Sequence, residues 1–350
     1  MLGELAEIAR RDRGLFPRPG PDLPGRLRDA LGVLDLRARD VRVERRWTGA
    51  GLDGEELSWT VGFGPRTRAY LLRPRGVAGP LPGVLAMHCH AGMKWAGKDK
   101  IADGPEPPAP EIARLRDRLY GGRAYAGELA RRGFAVLVHD VFAWGGRRFP
   151  LDPGPGPDAS EPDRYDRAAR DHEHVLAKTC TLLGTSFTGV IASEDLAAAA
   201  YLRSRPDIAA VAAIGLSGGG VRAAVLGALD SGVGAVVVAA AVSSFRDLHE
   251  EHVAAHSWML FPPGLTRLAD WPGVVASRAP APRMVLYAAA DPLFPATGMR
   301  RAHRQITDAY RNAPGLYAGM FFDAPHRFDR TMQDAAFAWL AETAGGGPRR

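Results

Sequence analysis

A chain of 350 residues, 46% hydrophobic and 24% charged, can bury a sizeable core and is too evenly mixed for a disordered or fibrous protein. The formal charge is +6, but arginines and carboxylates are interspersed and the only lysine cluster is Lys94, Lys98 and Lys100. That pattern favours a solvated arginine-rich surface over a nucleic-acid partner. Two cysteines, Cys89 and Cys180, exclude a disulfide framework, and no apolar run reaches membrane-spanning length.

The first residues carry acids where a secretory leader carries bases, so a cytoplasmic protein with no membrane partner is expected. Residues 1–40 read as a partly helical appendage, broken by Pro17, Pro19, Pro21 and Pro24. It is expected to pack on the domain or on a second subunit, which would make a homo-oligomer. From residue 41 the period changes to two. Residues 41–47, 57–63 and 67–72 alternate like antiparallel strands, with turns at 51–54 and 64–65. Residues 82–88 are then a buried strand.

Strand and helix alternate from there. A short helix is expected at 125–132, an apolar strand at 134–140, and a glycine- and proline-rich surface loop at 145–165. A long alanine-rich helix follows at 186–204, then strand 211–216, helix 221–229 and strand 234–242. Residues 245–279 are irregular and read as a lid or pocket segment. Strand 284–291, helix 297–310, strand 316–322 and helix 331–342 complete the pattern, leaving 343–350 as a flexible tail. Antiparallel strands followed by strand–helix units predict an α/β fold with a mostly parallel central sheet and helices on both faces, over residues 41–342.

The chemistry concentrates at Gly215-Leu216-Ser217-Gly218-Gly219. A serine between a buried strand and a small-residue helix, flanked two residues either side by glycine, is the pattern of a nucleophile elbow. The turn lifts the hydroxyl above the sheet edge and leaves the Gly218 amide at a helix N-terminus, where it can donate to an oxyanion. A serine needs a base, and the base an acid to orient it. Strand ends supply both: Asp291 closes one strand and His326 follows the last, in the order nucleophile, acid, base. Asp323, three residues from His326, is the competing acid. The second oxyanion amide is expected from the loop 88–92, at His90 or Ala91.

Other histidines read differently. His88 and His90 lack a third ligand nearby, and in His249-Glu250-Glu251-His252-Val253-Ala254-Ala255-His256 the i, i+4 partner of His249 is valine. No metal is therefore expected. The segment around His256 is expected to line the pocket, with Trp258 and Phe261 as apolar wall. Asp171-His172-Glu173-His174 reads as a solvated face.

With these pieces in place the chain resembles the α/β-hydrolase superfamily over residues 41–342. The stretches LAMHCHAGMKWAGK at 85–98, HDVFAWGGRR at 139–148 and the elbow are similar to a dienelactone-hydrolase and acetyl-xylan-esterase-like branch. The resemblance implies hydrolysis of a small-molecule carboxylic ester, lactone or thioester through an acyl-enzyme, with no metal and no organic cofactor. Ser217 departs from the cysteine nucleophile of true dienelactone hydrolases. The same triad would also serve an acyltransferase or a carbon–carbon bond hydrolase. A catalytically inactive ligand-binding relative is the reading from another class. A peptidase is disfavoured, since no propeller-sized domain precedes the hydrolase.

Overall fold

The computed structural model describes residues 2–154 and 159–344. Helices α1 (Leu2–Asp12) and α2 (Leu23–Leu31) precede strands β1 (Arg39–Gly49), β2 (Leu52–Thr60), β3 (Thr67–Pro74) and β4 (Leu81–Met87). Next come α3 (Pro110–Tyr120), α4 (Tyr125–Arg131), β5 (Ala135–His139), α5 (Glu161–Leu182) and α6 (Phe187–Ser204). Then follow β6 (Ile208–Leu216), α7 (Gly218–Leu229), β7 (Val233–Ala239), α8 (Glu250–Ala255) and α9 (Trp271–Val275). The chain closes with β8 (Arg283–Ala288), α10 (Ala296–Ala309), β9 (Tyr317–Phe322) and α11 (Arg330–Ala344).

The strands form one sheet in the order β1-β2-β3-β5-β4-β6-β7-β8-β9. Neighbours from β1 through β3 to β5 are antiparallel, and every pair from β5 through β4 to β9 is parallel. Central strands are apolar on both faces. In β6, Val211 and Ala213 point into one core while Ala212 and Ile214 point into the other; in β7, Val236 and Val238 oppose Ala235 and Val237. A strand wetted on one face would alternate apolar with polar, so this pattern requires cover on both sides. Apolar side chains of α2, α6, α7, α9 and α10 cover the first face, and those of α3, α4 and α11 the second.

This order positions the cleft. From β4 the chain passes through α3 and α4 to β5 on one side, and then returns past β4 to β6 on the other. The loops leaving the carboxyl ends of β4 and β6 therefore diverge, which opens a crevice at the switch point.

Two helices depart from the sequence reading. α3 lies in a stretch the sequence reading leaves unassigned; Pro110 opens it, Gly121, with φ 61°, closes it, and Ile112, Leu115, Leu119 and Tyr120 form its buried stripe. α5 starts inside the segment read as a loop at 145–165, part of which lies outside the described residues. Ser160 caps it, accepting from the Asp163 amide, and only six of its 22 residues are buried. The first hairpin turn is tighter than expected, at Ala50–Gly51, both with positive φ.

Of the N-terminal segment, α2 packs on the domain: Leu23, Leu27 and Leu31 are fully buried in the core shared with α7. Thr185 and Ser186 hydroxyls donate to the Gly32 and Leu31 carbonyls at 2.7 and 2.9 Å, fixing its end. α1 buries no residue. Of the expected tail, residues 345–350 lie outside the described residues. Among the described residues no single helix is long and apolar enough to cross a membrane.

Because α2 fills the main core, Leu27→Ala should cost roughly 2–5 kcal/mol of unfolding free energy, measured by urea denaturation. A loss below about 1 kcal/mol would show that α2 is only draped on the surface.

Candidate active site

The elbow is built from backbone contacts that leave no room for side chains. A Cβ on Gly215 would run into the backbone of Gly219, and one on Gly219 into the Met87 carbonyl. Between them Ser217 adopts φ 56° and ψ −124°, a conformation that an L-residue holds only under constraint. The constraint is a pair of hydrogen bonds: the Ser217 amide donates to the Ala239 carbonyl and the Val221 amide to the Ser217 carbonyl, each at 2.9 Å. Beneath the elbow, Arg222 of α7 donates to Asp195 at 3.0 and 2.7 Å and to the His88 carbonyl at 3.3 Å. His139 also meets Asp195, at 3.1 Å. Helix α7 is thereby bolted to the ends of β4 and β5.

Asp291 and His326 come together as their strand-end positions predict. The Asp291 carboxylate accepts from His326 Nδ1 at 2.5 Å through Oδ2 and from the Leu293 amide at 2.8 Å through Oδ1. Asp291 is buried, whereas Asp323 is exposed. With Nδ1 engaged, Nε2 is the ring nitrogen left for the cleft. Ser217 and His326 line the same cleft, and no direct hydrogen bond joins them in this resting geometry.

The loop after β4 supplies the facing wall. A Cβ on Gly218 would lie 2.9 Å from the His90 amide nitrogen, so the loop and the elbow are in contact. The amides of His90 and Ala91 meet no acceptor among the described residues, and Gly218 opens α7, whose first N–H groups have no intrahelical partner. All three residues line the cleft together with Ser217. The Gly92 amide donates to His90 Nδ1 at 3.0 Å, which places the proton of a neutral ring on Nε2. Burial holds His90 below its usual pKa, and its Nε2 donates to Glu173 Oε2 at 2.8 Å.

Glu173 corrects the reading of residues 171–174 as a solvated face. It is 5% exposed and its carboxylate is a hub. Besides His90 it meets Lys94 Nζ at 2.6 Å and accepts from the Ser257 hydroxyl at 2.6 Å and the Trp258 amide at 3.1 Å. Burial raises the Glu173 pKa, but His90 and Lys94 more than offset this and hold it well below the usual carboxylate range. His174 accepts from the Trp258 indole at 2.9 Å. Asp166, on the same helix, accepts from the Lys94 and Trp95 amides at 2.7 and 2.8 Å. No local pattern announces these roles, because every partner is at least 70 residues away along the chain.

The cleft has a volume of about 840 Å³. Residues 254–260 form one wall and place Trp258 in it as expected. Phe261 is a correction: it does not line the cleft but packs behind it, against Phe245 at 5.9 Å and His256 at 6.1 Å between ring centroids. The turn at Phe261 carries its ring back into the main core. In the histidine-rich stretch, His249 and His252 cap α8 reciprocally, while His256 reaches the cleft. His256 Nε2 donates to the Leu293 carbonyl at 3.0 Å, and burial pulls its pKa down to about 4, so it is neutral. His88 sits fully buried beside the Cys89 carbonyl, well below its usual pKa because of burial and the nearby Arg222.

A two-faced parallel sheet with an antiparallel edge, a strained serine after β6, and an Asp–His pair after β8 and β9 define the α/β-hydrolase fold. Comparison with known proteins agrees. No family model matches the chain. It is 25% identical over 305 residues, 86% of this chain and 87% of the relative, to YtaP of Bacillus subtilis (strain 168), whose designation as a hydrolase is itself provisional. A Bacteroides fragilis structure, provisionally titled an acetyl xylan esterase, superposes with a TM-score of 0.66 at 16% identity, covering 88% of this chain and 78% of that one. A glucuronoyl esterase from Solibacter usitatus superposes with a TM-score of 0.63 at 14% identity, covering 93% and 92%. What the chain shares with these structures is the fold.

Glu173→Gln would leave Lys94, only 4% exposed at its side chain, without a counter-charge. That substitution should cost about 3–5 kcal/mol, and adding Lys94→Met should restore a large part of it. Urea denaturation of the two single variants and the double variant checks this; additive losses would show that the ion pair is uncoupled.

Proposed function

We propose that the protein is a serine hydrolase acting on the carboxylic ester of a small molecule. The observation that carries the reading is the buried Asp291 carboxylate, 2.5 Å from His326 Nδ1, on the cleft that the strained Ser217 lines. Asp291 holds the histidine tautomer and stabilises the imidazolium. His326 Nε2 takes the Ser217 proton as Oγ bonds to the ester carbonyl carbon. The carbonyl electrons move onto oxygen, where the amides of Gly218 and of His90 or Ala91 receive them. His326 then protonates the departing alcohol, leaving an acyl-enzyme. Water, deprotonated by the same histidine, releases the acid and restores Ser217.

The cleft volume suits a drug-sized or disaccharide-sized molecule, and its walls combine Trp258, Met259, Leu260 and Phe294 with Arg118 and Arg170. An apolar wall with a few polar groups supports esters of small, partly polar alcohols, and the esterases among the structural relatives make carbohydrate esters the first class to screen. Acyl transfer and carbon–carbon cleavage use the same groups and would appear as a preference for an alcohol acceptor or for a β-diketone.

Ser217→Ala should fold normally and lose several orders of magnitude in kcat on any accepted ester, with no labelling by a fluorophosphonate. A folded variant that keeps near-normal turnover would refute the reading. Asp291→Asn should lower kcat by up to about 10⁴-fold, whereas Asp323→Asn should stay within about threefold of the unsubstituted enzyme. The reverse order would transfer the acid role to Asp323.

A further inference from the structure

Lys100 is fully buried, and among the described residues no carboxylate lies within ion-pair distance of it. Its ammonium instead meets three carbonyls of the loop after β4: Cys89 at 2.9 Å, His90 at 3.1 Å and Met93 at 2.5 Å. Three donors face three acceptors. In a trans peptide the C=O and the following N–H point in opposite directions. The Cys89 carbonyl turned onto Lys100 therefore sends the His90 N–H the other way, and the His90 carbonyl does the same to the Ala91 N–H. That other side is the side of the elbow, because the His90 nitrogen abuts Gly218.

We propose that Lys100 is a positioning residue of the oxyanion hole, holding the Cys89 and His90 carbonyls from behind so that the amides of His90 and Ala91 face the reacting carbonyl. The inference rests on the serine-esterase reading above. A lone buried ammonium is a costly way to fill space, and a methionine would fill it without desolvating a charge. What methionine cannot do is fix two successive peptide planes.

The surroundings bear on its charge. Burial, with a smaller contribution from Arg222 of α7, lowers the Lys100 pKa to about 8 against the opposing pull of Cys89, Asp166 and Asp140. His88 and His90 beside it are held below their usual pKa by burial, and Arg116 donates to the Lys100 carbonyl at 3.3 Å. The ammonium has three N–H groups and the neutral amine two. The arrangement is therefore complete below pH 8 and loses one donor and the charge as pH rises through it.

The test compares Lys100→Met with Ser217→Ala and the unsubstituted protein on one short-chain acyl ester, from pH 6 to 10, with circular dichroism as the folding control. Lys100→Met should lower kcat by about 10²-fold and leave KM within about threefold, the signature of a loss confined to the transition state. Unsubstituted enzyme should lose kcat with an apparent pKa near 8, and the variant should lack that limb. An inactive Ser217→Ala beside a Lys100→Met that keeps its kcat, or loses only KM, overturns the proposal and spares the esterase reading. An active Ser217→Ala overturns the esterase reading itself. Should Lys100→Met fail to fold, the pH profile of the unsubstituted enzyme decides: a fall near pH 8 with unchanged circular dichroism supports the proposal, and a flat kcat to pH 10 overturns it.

Discussion

The cleft depends on one backbone contact, the α-carbon of Gly219 resting against the Met87 carbonyl. Met87 ends β4 and Gly219 lies in the first turn of the helix after β6, so this contact sets how closely the two strand ends approach. The sheet order makes the contact possible, since β4 and β6 are parallel neighbours whose following loops leave in different directions. It also makes Ser217 unusual. A φ of 56° costs on the order of 1–3 kcal/mol, and the elbow persists because β6 and α7 are both anchored beyond it.

Around that contact the protein concentrates buried charges. Arg222 with Asp195 lies under the elbow, Lys98 with Asp140 under the end of β5, Lys94 with Glu173 beside the loop after β4, and Lys100 behind it. Replacing a buried ion pair with well-packed apolar residues is often neutral or stabilising, so stability alone is a poor reason for this concentration. Geometry is a better one. Asp140 accepts from the Lys98 and Gly146 amides, Asp166 from those of Lys94 and Trp95, and Lys100 donates to three carbonyls. Loops at the carboxyl end of a sheet have no ladder to satisfy their backbone groups, and here buried ionic side chains take the ladder's place.

That division explains what was legible in the sequence. The buried strands announce themselves by apolar runs, and Ser217, Asp291 and His326 by standing at strand ends, so the sheet and these three residues could be read locally. Glu173 could not. It sits on a helix with few buried residues, and its partners His90 and Ser257 are 83 and 84 residues away. Lys100 looked like one member of a lysine cluster, because nothing in the spacing of three lysines shows that two of them face carboxylates and the third faces carbonyls. Phe261 misled for the opposite reason: one residue beyond the wall of the cleft, its ring turns inward to Phe245, and an aromatic-rich stretch does not say which ring faces which way.

The walls of the cleft fall to the segments with the least sequence pattern. The walls come from α3, α5, residues 254–260 and residues 292–294, which are connections between strands and are free to vary without disturbing the sheet. Solved structures at 14–16% identity can therefore share the sheet while shaping their clefts independently. In this chain the wall and the loop beside Ser217 are nevertheless not independent. One carboxylate oxygen of Glu173 holds Ser257 and the Trp258 amide, while the other holds His90, whose backbone faces Gly218. A displacement of Trp258 by a bound molecule has a direct route to the loop after β4, through two bonds to a single side chain. Under the esterase reading proposed above, a wall tied to the centre in this way would make turnover sensitive to what fills the cleft, a physical basis for selectivity expressed in kcat as well as in binding.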